Sequence, residues 1–259
     1  AQIYCLSTIA NNTLDYSYNI PGKKLPHPSS SHDDSPCFEP IPLDLPKLMY
    51  VLNRMLPDDV KVMGVAPVPE IPGGAFHPSI CTESKTYQYT FSIGVLHDPI
   101  NWRTTWHLES EMSFSIYKAN RVCQELLLGT HDFAAFRGAP RGNDDKRKQG
   151  AESTVCTLSR VDIAENVDKS SFPGLSLSTY TVTITGDRFL YKMMRFLVGA
   201  IVAVGTDRLT FDDVHLALSS GSWEREDGRR QFTCAPPHGL VLRDVTYNTP
   251  VEWITCTNR

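Results

Sequence analysis

The chain has 259 residues, of which 41% are hydrophobic and 21% charged, and its formal net charge is −4. Those proportions are ordinary for a globular protein and exclude a disordered or fibrous chain, while the length allows one large domain or two small ones. A weakly acidic chain has no global attraction for nucleic acid, so any such contact must come from locally gathered Lys and Arg.

The first residues, AQIYCLSTI, read as a β-type run already under way, with no initiator Met. We therefore expect an N-terminal part to be missing, which leaves targeting open. From Tyr16 to Pro42 the chain is rich in Pro, Ser, Asp and His and reads as an excursion without a core-forming pattern. Leu45, Leu48, Met49, Leu52 and Met55 stand at helical spacing over 43–55, and Pro57 ends the run. Residues 60–67 read as a strand, and KTYQYTFSIGV at 85–95 alternates as a strand should. A second helix is expected over 109–128, with Met112, Ile116, Ala119, Cys123, Leu126 and Leu127 inward. Residues 141–152 are polar and read as an exposed loop, followed by strands at 155–163 and 175–185.

The stretch 186–205, GDRFLYKMMRFLVGAIVAVG, reads as a helix that is apolar almost all round, which marks it as buried. Arg195 sits in its middle. An unpaired guanidinium there would cost several kcal/mol, so it should face a carboxylate, a phosphate or a wet cleft. A structural ion pair or an arginine snorkelling to the surface is the plainer alternative. The apolar run is short for a membrane span and carries Lys192 and Arg195, so no membrane segment is expected. A shorter helix over 211–219 and a last strand over 240–247 complete the pattern, which indicates an α+β or α/β fold with an antiparallel or mixed sheet.

Seven scattered cysteines, odd in number and without zinc-site spacing, read as free thiols in a reducing compartment. Tyr87 and Tyr89 share one strand face. They are either half-buried aromatics or a stacking platform for a base, flanked by Lys85. In GTHDFAAFRG (129–138), His131 and Asp132 cap a short turn over Phe133 and Phe136, from which Arg137 projects. CAPPHGLVLRDV (234–245) is a rigid turn into a strand, where Gly239 is expected to supply a special backbone angle. His238 is a weak candidate for acid–base work. There is no phosphate-binding glycine loop, metal-ligand set or GxSxG elbow.

Five segments in this order resemble the TruA family of tRNA pseudouridine synthases: LNRMLPDDVKV at 52–62, FHPSICTESKTYQYTFSIG at 76–94, LLLGTHDFAAFR at 126–137, the 186–205 stretch, and APPHGLVL at 235–242. The resemblance implies an α+β pseudouridine synthase fold. It has two related α/β halves, a mixed, mostly antiparallel extended sheet and RNA in a basic cleft. The halves would fall at 1–95, carrying the 16–42 insertion, and at 96–259, carrying the 186–205 helix. It also implies conversion of uridine to pseudouridine in tRNA, in or near the anticodon stem-loop, without cofactor or metal.

By position, Tyr87 resembles the tyrosine that stacks on the flipped uracil, and Arg195 the basic partner of the catalytic aspartate. Phe189, Leu190 and Leu240 would line the pocket, and Lys85, His77, Arg137 and Lys192 would meet RNA. Members of the family form homodimers and work inside the cell, in cytoplasm, nucleus or organelle. Two departures stand out. The Arg-Thr-Asp-x-Gly-Val-His stretch that carries the aspartate is absent, and in the family it lies just before the segment that AQIYCLSTI resembles. Ser79 stands where many members have an arginine. The first departure leads us to expect that the chain as given is inactive. The rival reading is a non-catalytic RNA-binding or scaffold protein with a degenerate synthase fold.

Overall fold

The computed structural model describes residues 44–71, 76–109, 113–138, 153–166, 177–223 and 232–255. The expected strand at 1–9, the 16–42 excursion and the whole of the 141–152 loop lie outside them. The described residues divide into two compact units, one within 77–248, the other within 44–76 and 249–255. The 85–95 strand, expected in the first half, thus lies in the same unit as the 186–205 stretch. No described helix is long and apolar enough to cross a membrane.

In the smaller unit, α1 (Leu45–Met55) starts at Asp44, whose side chain accepts from the Lys47 amide at 3.0 Å, and Pro46 fits the first turn, where no amide partner is lost. β1 (Gly64–Val65) pairs antiparallel with β8 (Ile254–Thr255). The expected 60–67 strand shrinks to β1 partly because the Asn53 amide takes both polar groups of Val62, at 2.7 and 2.9 Å. Those groups are then not available to a ladder.

The larger unit is built on a six-stranded sheet. Its strands are β2 (Thr82–Gly94), β3 (Trp106–Glu109), β4 (Gly129–Asp132), β5 (Val155–Asn166), β6 (Ser178–Gly186) and β7 (Leu240–Tyr247). β2 is central. β6 pairs along one edge, and the other edge is shared by β7, against Thr82–Tyr89, and β3, against Phe91–Gly94. β5 and β4 extend the sheet beyond β6. Only the β2–β3 pairing is parallel among those described, so the sheet is mixed and mostly antiparallel, within an α+β fold.

The two sheet faces differ. Tyr89 and Phe91 of β2, with Val182 and Ile184 of β6, are fully buried. On the opposite face Thr86 bonds Thr185 at 2.9 Å and Gln88 reaches Thr183. That alternation is the signature of an antiparallel sheet covered on one side. The helices of this unit are α2 (Ile116–Val122), α3 (Met193–Gly205) and α4 (Phe211–Ser220). α3 lies in the core with Phe91, Val122, Phe133, Phe136, Val161 and Ile184.

Three expectations are corrected here. The 186–205 helix begins only at Met193. Gly186 ends β6, paired to Lys85 and Leu158, and the Asp187 carboxylate accepts from the Thr157 and Arg188 amides, so 187–192 is a turn. The 109–128 helix begins at Ile116, because 106–109 pairs as a strand, and it ends in a π-helical turn at Cys123–Leu127. Gly239 is not in the left-handed region. A Cβ there would lie 2.7 Å from the Thr90 carbonyl oxygen and 2.8 Å from the Tyr89 ring, so close approach is what demands glycine.

Gly199 is another close approach. A Cβ would run into the Thr233 carbonyl oxygen and sit 3.0 Å from the Phe232 ring. Gly199→Ala should lower the unfolding free energy by about 1–3 kcal/mol, read as a lower urea midpoint with an unchanged slope. Burial raises the hydroxyls of both Tyr87 and Tyr89 above the ordinary value of 10.0. A folded-state value above the unfolded one stabilises below the unfolded value, and that stability is lost as pH rises through the folded value. The share of stability that these tyrosines supply should therefore hold up to about pH 10 and be lost above it, so the alkaline fall of the urea midpoint should be shallower in Tyr89→Phe.

Candidate active site

β2 and the turn after β6 create the aromatic part of the site. Tyr87 sits between Ile184 of β6 and Leu242 of β7. Its ring meets Phe189 edge to face, with centroids 4.9 Å apart and planes at 77°. That geometry suits two aromatic quadrupoles. Gly186, just before this turn, is demanded by close packing against β5: a Cβ there would lie 2.6 Å from the Leu158 side chain and 3.0 Å from the Thr157 carbonyl oxygen. Tyr87 keeps partial exposure, and burial pushes its hydroxyl upward, so it is neutral at physiological pH. Tyr89, two residues on, is fully buried and stands opposite Leu240. Its ring also meets Trp106 edge-on, at 6.2 Å.

α3 supplies the charge. Twelve of its thirteen residues are buried, and Arg195 is the exception, at intermediate exposure. The Arg195 Nε donates to the Ala235 carbonyl at 2.5 Å, and the Ala235 amide donates back to the Arg195 carbonyl at 3.1 Å. Tyr89 donates its hydroxyl to the neighbouring Pro236 carbonyl at 2.6 Å. The Arg195 guanidinium pulls that hydroxyl downward, but burial is the larger effect and the hydroxyl stays well above its ordinary range. Among the described residues Arg195 has no ion pair. The arrangement is a cation held by one nitrogen against a carbonyl, with the rest of its fork available to an anion.

The sequence-derived residues therefore separate into groups. The described contacts join Tyr87 to Phe189, and join Arg195 to Tyr89 through adjacent carbonyls of one turn; no contact between Tyr87 and Arg195 is among them. Leu190 and Leu240 are half-buried against the same core as Phe189. Lys85 is half-exposed and pairs with Gly186 and Val245. Gly138, the residue after Arg137, packs beside Lys192, and its amide donates to the Tyr191 carbonyl at 2.8 Å. His77 lies apart. Its Nδ1 accepts from the Ser79 amide at 3.2 Å, which gives it a local turn-forming contact.

Tyr89, read beside Tyr87 as a half-buried aromatic or part of a stacking platform, is fully buried and braces the turn, and the Ala235–Pro236 carbonyls are acceptors that the sequence reading did not single out. The signal was present in Ala-Pro-Pro: Pro236 and Pro237 carry no amide hydrogen, so the segment offers acceptors unmatched by donors. A guanidinium and a phenol are the natural donors to them.

A sequence profile of the family described as tRNA pseudouridine synthase matches residues 123–248, which hold Arg195, Phe189 and the 234–240 turn. Among curated relatives, tRNA pseudouridine synthase A 1 of Protochlamydia amoebophila is 30% identical over 205 residues, covering 79% of this chain and 70% of the relative. Its counterpart in Streptococcus mutans is also 30% identical over 205 residues, covering 79% and 71%. tRNA pseudouridine synthase A 2 of Clostridium tetani is 29% identical over 203 residues, covering 78% and 69%. Motif order, sheet topology and these similarities agree, and the chain belongs to the tRNA pseudouridine synthase family.

Proposed function

We propose that this protein isomerises uridine to pseudouridine in tRNA, in or near the anticodon stem-loop. The observation that carries the reading is Arg195, the one residue of a buried helix left partly open, with no carboxylate on it among the described residues. The reaction breaks the N1–C1′ bond, turns the base and joins C5 to C1′. The proton leaves C5 and N1 gains one, so the atoms balance within the nucleoside. A carboxylate must act at the ribose, and the resemblance assigns it to the family's aspartate. Arg195 is the group to hold that carboxylate ionised and oriented, since a nearby guanidinium favours the charged form.

The base must leave its stack to react, and an extruded base needs a replacement surface. In this reading Tyr87 offers the ring, held by its edge-to-face contact with Phe189, and Leu190 and Leu240, half-buried against the same core, would line the pocket. Burial keeps the Tyr87 hydroxyl neutral, so in this reading it takes the C5 proton only as it passes its own proton on, acting as a relay. Lys85, His77, Arg137 and Lys192 meet the phosphates in this reading. Their contribution is local neutralisation on a chain of net negative charge.

Release of tritium from tRNA labelled at C5 of uridine tests the reading with the purified gene product. Arg195→Gln should lower turnover by about 10²–10³-fold while tRNA affinity changes little, because the lost interaction acts on the reacting centre. Tyr87→Phe should lower turnover by about 10²-fold with affinity largely kept. Tight tRNA binding by the wild type with no tritium release would overturn the enzymatic reading in favour of a non-catalytic RNA-binding protein.

A further inference from the structure

The turn between β6 and α3 does more than deliver Phe189 to Tyr87. Two residues beyond Phe189, Tyr191 is turned outward and is 51% exposed. Among the described residues no aromatic ring lies against it, and its one ring contact is the Lys192 ammonium, 5.2 Å from the centroid. Exposed single aromatics are common on proteins and need no explanation by themselves. This one is held in place by a specific device.

Lys192 has φ of +59°, one of two non-glycine residues with positive φ among those described, and it occupies the start of α3 with no side-chain cap. Such backbone is disfavoured for a side chain with a Cβ and persists only where surroundings impose it. Here the surroundings are Gly138. Its amide bonds the Tyr191 carbonyl at 2.8 Å, and a Cβ on it would come within 3.1 Å of both the Lys192 stem and the Tyr191 ring. The clamp fixes Tyr191 and Lys192 side by side, against the residue that follows Arg137 and two residues along the turn from Phe189, which meets Tyr87.

We propose that Tyr191 is a stacking ledge for the nucleobase adjacent to the target uridine, with Lys192 placed at the phosphate that joins the two nucleotides. This rests on the tRNA reading above. Extruding one base strips its neighbour of a stacking partner, and an exposed ring two residues from the pocket wall restores it. The cation over the ring strengthens the ledge, since bases stack on aromatic rings whatever their sequence, and a lysine beside them meets the backbone. The ledge thus contributes to affinity without selecting the sequence around the target.

The test is filter binding of an unmodified tRNA transcript to the gene product across a KCl series, for the wild type and for Tyr191→Leu, Tyr191→Phe and Lys192→Gln, with circular dichroism to confirm folding. Tyr191→Leu should bind about 10-fold more weakly with an unchanged salt slope, because stacking releases no counterions. Tyr191→Phe should restore most of that loss. Lys192→Gln should flatten the slope by about 0.7–0.9, the share of one phosphate contact. Wild-type affinity in Tyr191→Leu overturns the proposal. So does a flattened slope in that variant, which would make the ring a mere support for Lys192, and so does an equal loss in Tyr191→Phe, which would assign the effect to the hydroxyl. A wild type that binds tRNA without releasing tritium, or does not bind it, defeats the enzymatic reading and the ledge with it; wild-type affinity in Tyr191→Leu beside normal tritium release defeats the ledge alone.

Discussion

The structure of the larger unit depends on one exchange of hydrogen bonds between a buried helix and a proline turn. Arg195 and Ala235 bond each other twice, once through backbone and once through the guanidinium. Around that exchange α3 is sealed on every other side, and its glycines let chain segments approach as no other residue would: Gly199 against Thr233, Gly205 against Phe114. A charged side chain in such a helix is tolerated only because its nitrogen is satisfied and its tip keeps contact with the outside. The same turn takes the Tyr89 hydroxyl on the next carbonyl, so β2, α3 and the approach to β7 are joined within two residues.

The site is an edge of the core left unfinished. Along β2 the inward face grades from Phe91 and Tyr89, fully buried, to Tyr87, partly open. Apolar packing supplies rigidity at one end of that gradient, and the open end is where the proposed reading stacks the base. The turn at 187–192 works in the same direction, since one short segment sends Phe189 inward and Tyr191 outward. Asp187 braces its start through two backbone amides and Gly138 braces its end. A site assembled from strand, turn and helix N-terminus in this way keeps its geometry through backbone contacts more than through side-chain ion pairs, and the described ion pairs all lie at exposed positions. Ion pairs of that kind contribute little to stability.

Much of the fold was legible because it rests on local periodicity. The α1 register, the alternation of β2, the position of β7 and the all-round burial of α3 follow from spacing that any residue-level reading detects. The helix starts were not legible. Phe189 and Leu190 continue the apolar spacing of the helix backward, but Gly186 pairs with two strands and the Asp187 bonds hold 187–192 out of it. β3 escaped notice for the same reason: four residues carry too short a pattern, and a parallel partner twelve or more residues away decides them. Gly239 misled because a glycine's sequence context does not distinguish a left-handed angle from a crowded neighbour.

By itself the sequence determined that a cation sits within an apolar helix, that two tyrosines share a strand face, and that five motifs occur in a family's order; composition and short-range spacing carry all three. Only the tertiary structure decided what each of those groups touches. Arg195 meets a carbonyl forty residues away, Tyr87 meets Phe189 across a sheet, and Gly138 sets the backbone of Lys192. Contacts between residues distant in the chain depend on how strands register and turns close, and those are settled by packing against the whole core, which no local window contains.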